Sequence, residues 1–206
     1  DEPSVFGGNN YGGYLLQQNP EEFTALVMFL KEWGRYNVYV EIGSASGGNL
    51  RLISEQVGFG RAIAFDDHQH PHANHQFTND RGFTHKLTRF TGDSHSRDAA
   101  EFLKNALGEQ VIDCIFIDGD HNYAGVIADF TMVRPYLTKR SLVIFHDTFS
   151  IPDIRRVTET LLKTELEPKA HFYADSNRCG IMVCGLKGSG SVFRGDVWTT
   201  PKDFIF

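Results

Sequence analysis

Five runs of β-branched and aromatic residues are interleaved with five stretches of helical spacing, and this alternation constrains the fold more than any other feature of the chain. The runs cover residues 38–42, 61–65, 111–117 and 141–145, with a short, more polar one around 85–90. Runs that are apolar throughout read as strands buried on both faces, as in a parallel sheet covered by helices. Two further runs, 170–174 and 180–184, flank Asp175-Ser176-Asn177-Arg178 and predict a closing hairpin. The expected architecture is a doubly wound α/β fold with a mostly parallel, seven-stranded sheet and an antiparallel terminal strand.

The helices carry their own punctuation. Asn19-Pro20-Glu21-Glu22 combines a capping amide, proline at the first helical position and acids in the first turn. Phe23, Leu26, Val27, Leu30 and Trp33 follow as an apolar stripe, and Gly34 is the stop. Helical spacing recurs over residues 48–57, 96–107, 122–137 and 152–162. Before the first helix, residues 1–18 are rich in glycine and aromatic side chains and read as a flexible arm or lid. Residues 19–187 read as the folded domain. Residues 188–206 form a tail bearing Phe193, Trp198, Phe204, Ile205 and Phe206, expected to pack on the domain or on a partner subunit of a homo-oligomer.

A length of 206 residues suits one domain with a real core. The net charge of −6 argues against nucleic acid as the main partner. No apolar run approaches membrane-spanning length, and no signal-peptide pattern is present. Cys114, Cys179 and Cys184 lie in apolar surroundings, which suits reduced core thiols and a cytoplasmic location.

Chemistry collects at the strand ends. Ile115-Phe116-Ile117 runs into Asp118-Gly119-Asp120-His121, and the run at 141–145 ends in His146-Asp147. Parallel strands would deliver these carboxylates and imidazoles to one rim of the sheet, where open α/β sheets bind ligands. His121 suits a general base, because its unperturbed pKa lies near neutrality. Asp120 is a candidate to orient it. The first strand breaks at Glu41-Ile42-Gly43-Ser44-Ala45-Ser46-Gly47-Gly48. A dinucleotide turn wants glycine where Ala45 stands, and Glu41 is poor company for a pyrophosphate. A carboxylate there suits a ligand bearing an amino group or a sulfonium, such as S-adenosylmethionine. Asp66, ending the second strand, is placed to accept ribose hydroxyls, and Asp93 and Ser94 stand where an adenine edge would lie. The expected cofactor site is therefore Glu41, Gly43, Ser44, Gly47, Asp66, Asp93, Ser94 and Asp118. The four histidines between His68 and His75 read as a solvated loop over the cofactor, since their spacing matches no ordered zinc pattern.

With these residues in place the chain resembles the class I S-adenosylmethionine-dependent methyltransferases. More narrowly, it resembles the group of macrocin-type sugar O-methyltransferases and cephalosporin hydroxylase-like proteins. The resemblance rests on Gln18-Asn19-Pro20-Glu21-Glu22, Glu41-Ile42-Gly43 with Gly47-Gly48, Gly92-Asp93-Ser94, Asp118-Gly119-Asp120-His121-Asn122-Tyr123 and Phe145-His146-Asp147-Thr148. It implies a Rossmann-like methyltransferase fold and methyl transfer to the hydroxyl of a small molecule, a sugar or a secondary metabolite. It also implies catalytic roles for His121 and Asp118 and a divalent metal, magnesium or manganese, on Asp118, His146 and Asp147. His146 departs from the oxygen ligands magnesium prefers. Either the metal is softer, or only the two aspartates ligate, or no metal binds. Two other readings stay open at this level: a nucleotide-cofactor oxidoreductase or hydroxylase-like enzyme, and a non-catalytic module that binds an adenosine ligand.

Overall fold

The computed structural model describes residues 9–11, 14–34, 36–69, 86–174, 179–190 and 196–198. Three expectations fall outside these residues: most of the arm at 1–18, the loop histidines His70, His72 and His75, and the turn at 175–178. Most of the apolar tail does so too.

Among the described residues, ten strands and five α-helices follow one another as β1 (Asn9–Tyr11), β2 (Tyr14–Leu16), α1 (Pro20–Trp33), β3 (Val38–Ile42), α2 (Gly48–Ile53), β4 (Arg61–Asp66), β5 (Lys86–Thr91), α3 (Arg97–Leu107), β6 (Ile112–Ile117), α4 (Tyr123–Val133), β7 (Leu137–Phe145), α5 (Pro152–Thr164), β8 (Leu166–Tyr173), β9 (Ile181–Leu186) and β10 (Asp196–Trp198). A π-helical turn, Ser54–Gly58, extends α2. β1 and β2 pair antiparallel on their own, and the main sheet has the order β10-β8-β9-β7-β6-β3-β4-β5. Only β9 runs against the rest, paired antiparallel with both β7 and β8. The sequence anticipates seven of these strands and the antiparallel one. The eighth, β10, was hidden in the tail: it adds three residues parallel to the outer edge of β8.

Capping explains where the helices begin. The Asn19 side chain accepts from the amides of Glu21 and Glu22 at 2.9 and 3.3 Å, and Pro20 fills the first helical position. Ser96 and Asn122 cap α3 and α4 in the same way. Alternation along each strand separates two cores. Tyr39, Ala62, Cys114, Phe116 and Ile144 face α1 and α2, whereas Val40, Ile63, Ile115, Ile117 and Val143 face α3, α4 and α5. All three cysteines are free and buried. Among the described residues no helix is long and apolar enough to cross a membrane.

This topology sets the place of the site. From β3 the chain steps outward to β4 and β5, then returns to β6 on the other side of β3. The crevice beyond the carboxyl ends of β3 and β6 is the switch point where open α/β sheets take their ligands.

Candidate active site

The strand register aligns the site. Phe65, Ile42, Ile117 and Phe145 are neighbours across four adjacent strands. The residues that follow them, Asp66, Gly43, Asp118 and His146, therefore stand side by side on the rim. Amide bonds continue the ladder past the strand ends: Gly43 donates to Phe65, Asp118 to Ile42 and His146 to Ile117. Around this row opens a cleft of about 550 Å³, walled by Gly43, Ala45, residues 65–67, 92–95 and 118–121, His146, Asp147, Gln17 and Cys179.

At one end lies Asp66. Its two carboxylate oxygens accept from the amides of Ala45 at 2.7 Å and His68 at 2.8 Å. Both donors belong to residues with positive φ, 43° at Ala45 and 59° at His68. Asp66 thus holds two loop backbones in a conformation that side chains disfavour. Free lone pairs on the same oxygens remain available to a diol. Gly43 has φ of 82°, an angle that other residues avoid, and its lack of a side chain is needed for the packing as well. A Cβ there would lie 2.0 Å from the Asp118 carbonyl oxygen, so glycine is what lets the β3 and β6 loops cross.

Asp93 and Ser94 also line the cleft. The Ser94 hydroxyl donates to Asp129 at 2.7 Å, and His95 Nε2 lies 3.2 Å from the same oxygen. Asp129 is fully buried on α4, and burial pushes its carboxyl up to about 6.

The other end holds two carboxylates and two imidazoles. His146 Nδ1 lies 3.0 Å from Asp118 Oδ1 and 3.2 Å from Asp147 Oδ2. His121 Nε2 lies 3.7 and 3.5 Å from the same two oxygens. The His146 ring is buried and the His121 side chain is 49% exposed at the cleft mouth. Gln18 donates to Asp118 Oδ2 at 3.2 Å, and Ser150 donates to Asp147 Oδ1 at 2.7 Å. Burial works against charge on Asp118, yet the His146 charge and the bonds from both histidines hold its carboxyl down at about 2. Burial likewise opposes a charge on His146, but the Asp118 carboxylate outweighs it and lifts the ring well above its ordinary range. A ring nitrogen of His146, the Glu22 carboxylate and the Cys179 thiol lie within 4.8 Å of one another.

Not every expected residue meets the cleft. Glu41 is fully buried beneath it, accepting from the Tyr39 hydroxyl at 2.5 Å. Burial pushes its carboxyl up to about 8. Ser44 turns inward toward the Phe65 carbonyl, and Gly47 caps α2 with φ of 83°. Neither lines the cleft wall. Asp120 accepts from the amide and side chain of Asn122 and does not orient His121, a role the geometry gives to Asp118 and Asp147. Among the described residues, Asp118, His121 and Asp147 offer ligand atoms within 4.8 Å of one another, and the expected His146 stands closer still to both carboxylates, at 3.0 and 3.2 Å. The sequence reading passed over Gln17, Gln18, Glu22, His95, Asp129 and Cys179.

A family model described as a methyltransferase domain matches residues 40–148, more than half of the chain. The chain belongs to this family. As a methyltransferase-domain protein it is 30% identical over 116 residues to Uncharacterized protein R132 of Acanthamoeba polyphaga mimivirus, a stretch covering 53% of this chain and 50% of that one. The chain thus spans about half the length of this curated relative. An O-methyltransferase from Bacillus cereus in complex with S-adenosylhomocysteine shares the fold with a TM-score of 0.64 at 16% identity, over 82% of this chain and 81% of that one. CalS11, a TDP-rhamnose 3'-O-methyltransferase of calicheamicin biosynthesis, superposes with a TM-score of 0.53 at 18% identity, over 79% and 76% of the two chains. MycE, solved with Mg, S-adenosylhomocysteine and mycinamycin VI, gives 0.52 at 15% identity over 88% of this chain and 52% of that one.

The donor set of the cleft fits a methyltransferase cofactor. Among the described lining residues stand six aspartates and no lysine or arginine. Such a wall repels a pyrophosphate and attracts a sulfonium and an amino group. It fits magnesium less well. The side chains offer two carboxylates and two imidazoles where that ion wants oxygens, and all four oxygens of Asp118 and Asp147 already have side-chain donors or imidazole nitrogens beside them.

Proposed function

We propose that this chain is an S-adenosylmethionine-dependent O-methyltransferase acting on a hydroxyl of a small molecule, a sugar or a secondary metabolite, with His121 as general base. One observation carries the reading: a half-exposed imidazole at the cleft mouth, within 3.7 and 3.5 Å of two carboxylates. S-adenosylmethionine, when bound, supplies an electrophilic methyl group whose sulfur takes back the electron pair of the broken bond. The chain supplies the rest. Gly43 and Asp66 lie where the amino acid and ribose ends would rest, and residues 92–95 flank the place of the base. Asp118 and Asp147 hold His121 Nε2, which leaves Nδ1 to take the hydroxyl proton as the new oxygen–carbon bond forms. The O-methyltransferases among the structures of like fold support the reaction class, and the sugar acceptor of CalS11 supports the substrate class. Three buried free cysteines suit a reducing compartment, and we place the protein in the cytoplasm.

Thermal unfolding with S-adenosylhomocysteine, with NAD and with neither tests the cofactor. At about a hundredfold over Kd, a ligand of the folded state adds about 2.7 kcal/mol. Stabilisation by S-adenosylhomocysteine alone is expected; stabilisation by NAD alone would overturn the reading. His121→Ala and His121→Gln are expected to lose about 10²–10⁴ in single-turnover methyl transfer while keeping cofactor affinity.

A further inference from the structure

We infer that His146 stands in the place of a divalent cation, so that this cleft takes no metal. The inference rests on the methyl-transfer reading only for the reason a cation is expected here at all.

Nδ1 of His146 lies between Asp118 Oδ1 and Asp147 Oδ2, 3.0 and 3.2 Å away. Ionised carboxylates only accept, so the nitrogen between them carries a proton and donates. Two carboxylates sharing one donor is the arrangement a bridging cation would otherwise impose. The ring is 5% exposed, and its backbone is tied to Ile117 by an amide bond of 3.2 Å. It cannot swing aside without leaving both acids unneutralised. The ring's other neighbours are the Glu22 carboxylate and the Cys179 thiol, within 4.8 Å of a ring nitrogen. The Glu22 carboxylate beside it is fixed by the amides of Ala174, Cys179 and Gly180 at 3.0, 3.2 and 3.0 Å. A cation bound to Asp118, His121 and Asp147 would draw on the same two carboxylates that His146 holds. Only two of those three side chains offer oxygen, short of what magnesium prefers.

The test titrates Mg²⁺ and Mn²⁺ into the chelator-treated full chain, by calorimetry and by the electron paramagnetic signal of Mn²⁺. S-adenosylhomocysteine affinity is measured in the same chelator. The wild type is expected to bind neither ion below about 1 mM, and to bind S-adenosylhomocysteine undiminished. His146→Asp and His146→Asn exchange the donor for oxygen and are expected to gain Mn²⁺ affinity by at least about tenfold. Two such variants guard against one failing to fold, which circular dichroism reads. Stoichiometric Mn²⁺ binding by the wild type, lost in Asp118→Asn, would overturn the inference. So would folded His146 variants that gain no affinity. Failure of S-adenosylhomocysteine to bind, with the metal results as expected, would count against the proposed function and leave this inference standing.

Discussion

His121 has to be unprotonated to act, and its surroundings resist that. The bond to Asp118 raises its pKa, burial lowers it, and the Asp118 and Asp147 charges carry the balance upward from the ordinary 6.5. Single-turnover rate is therefore expected to climb with pH through a midpoint above 6.5. Asp147→Asn removes one carboxylate and should move that midpoint down; a midpoint that stays put would take Asp147 out of the role. Glu41 gives a prediction of the opposite kind, about stability. Its carboxyl ionises near 4.5 in the open chain and near 8 in the fold, because burial penalises its charge. Between these values the folded state binds more protons, so stability falls as pH rises from 4.5 to 8. At about 1.36 kcal/mol per unit the loss reaches about 3 kcal/mol at pH 7, as an order of magnitude. Glu41→Gln should lack this slope and gain on the wild type in urea at pH 8 but not at pH 5. It should also leave S-adenosylhomocysteine affinity within about threefold, whereas Asp66→Ala should weaken it by about ten- to a hundredfold, as for a lost charge-assisted hydrogen bond. Calorimetry on both variants separates the buried acid from the cleft acid.

At the scale of the element, α1 is held by a side chain buried at its first turn. Glu22 is fully buried and accepts three amides from the segment between β8 and β9. Removing it leaves three donors without partners, at about 1–3 kcal/mol each. Glu22→Ala is expected to lose about 3–5 kcal/mol in urea with an unchanged m-value; a loss under about 1 kcal/mol would mean water replaces the carboxylate. The element pattern itself was largely legible. Apolar periodicity placed α1, α3 and α5 within about two residues of their ends, and glycine and proline marked several boundaries. Where it erred, a local signal was weak. The stretch read as helix to residue 137 ends at Val133, passes through one 3-10 turn, and gives way to a strand whose first half is polar. Two of the missed site residues share one mark. Glu22 is in phase with Leu26 and Phe29 on α1, and Asp129 with Val126 and Val133 on α4. An acid on the apolar face of a helix needs buried donors, and that mismatch was readable. Which donors would arrive was not, because Ala174 and Ser94 come from elsewhere in the chain.

For the whole molecule, the row of strand ends is what the alternation of apolar runs foretold, while strand order within the sheet and the presence of β10 needed the third dimension. β10 covers the outer edge of β8. Deleting residues 193–206 is expected to bare that edge, lower the melting temperature and promote self-association. Light scattering reads the mass; an unchanged mass and melting point would show the segment idle. The position of β9 has a consequence in time. It lies between β7 and β8, yet it is made after both. As the polypeptide emerges from the ribosome, the sheet grows outward from β3, but β8 has no neighbour to join until residues 181–186 appear. The amides that Glu22 awaits are synthesised more than 150 residues after it. Helix α1 therefore waits for the segment between β8 and β9 before its carboxylate is satisfied, and that segment closes the fold at α1 and at the β8–β9 pair together.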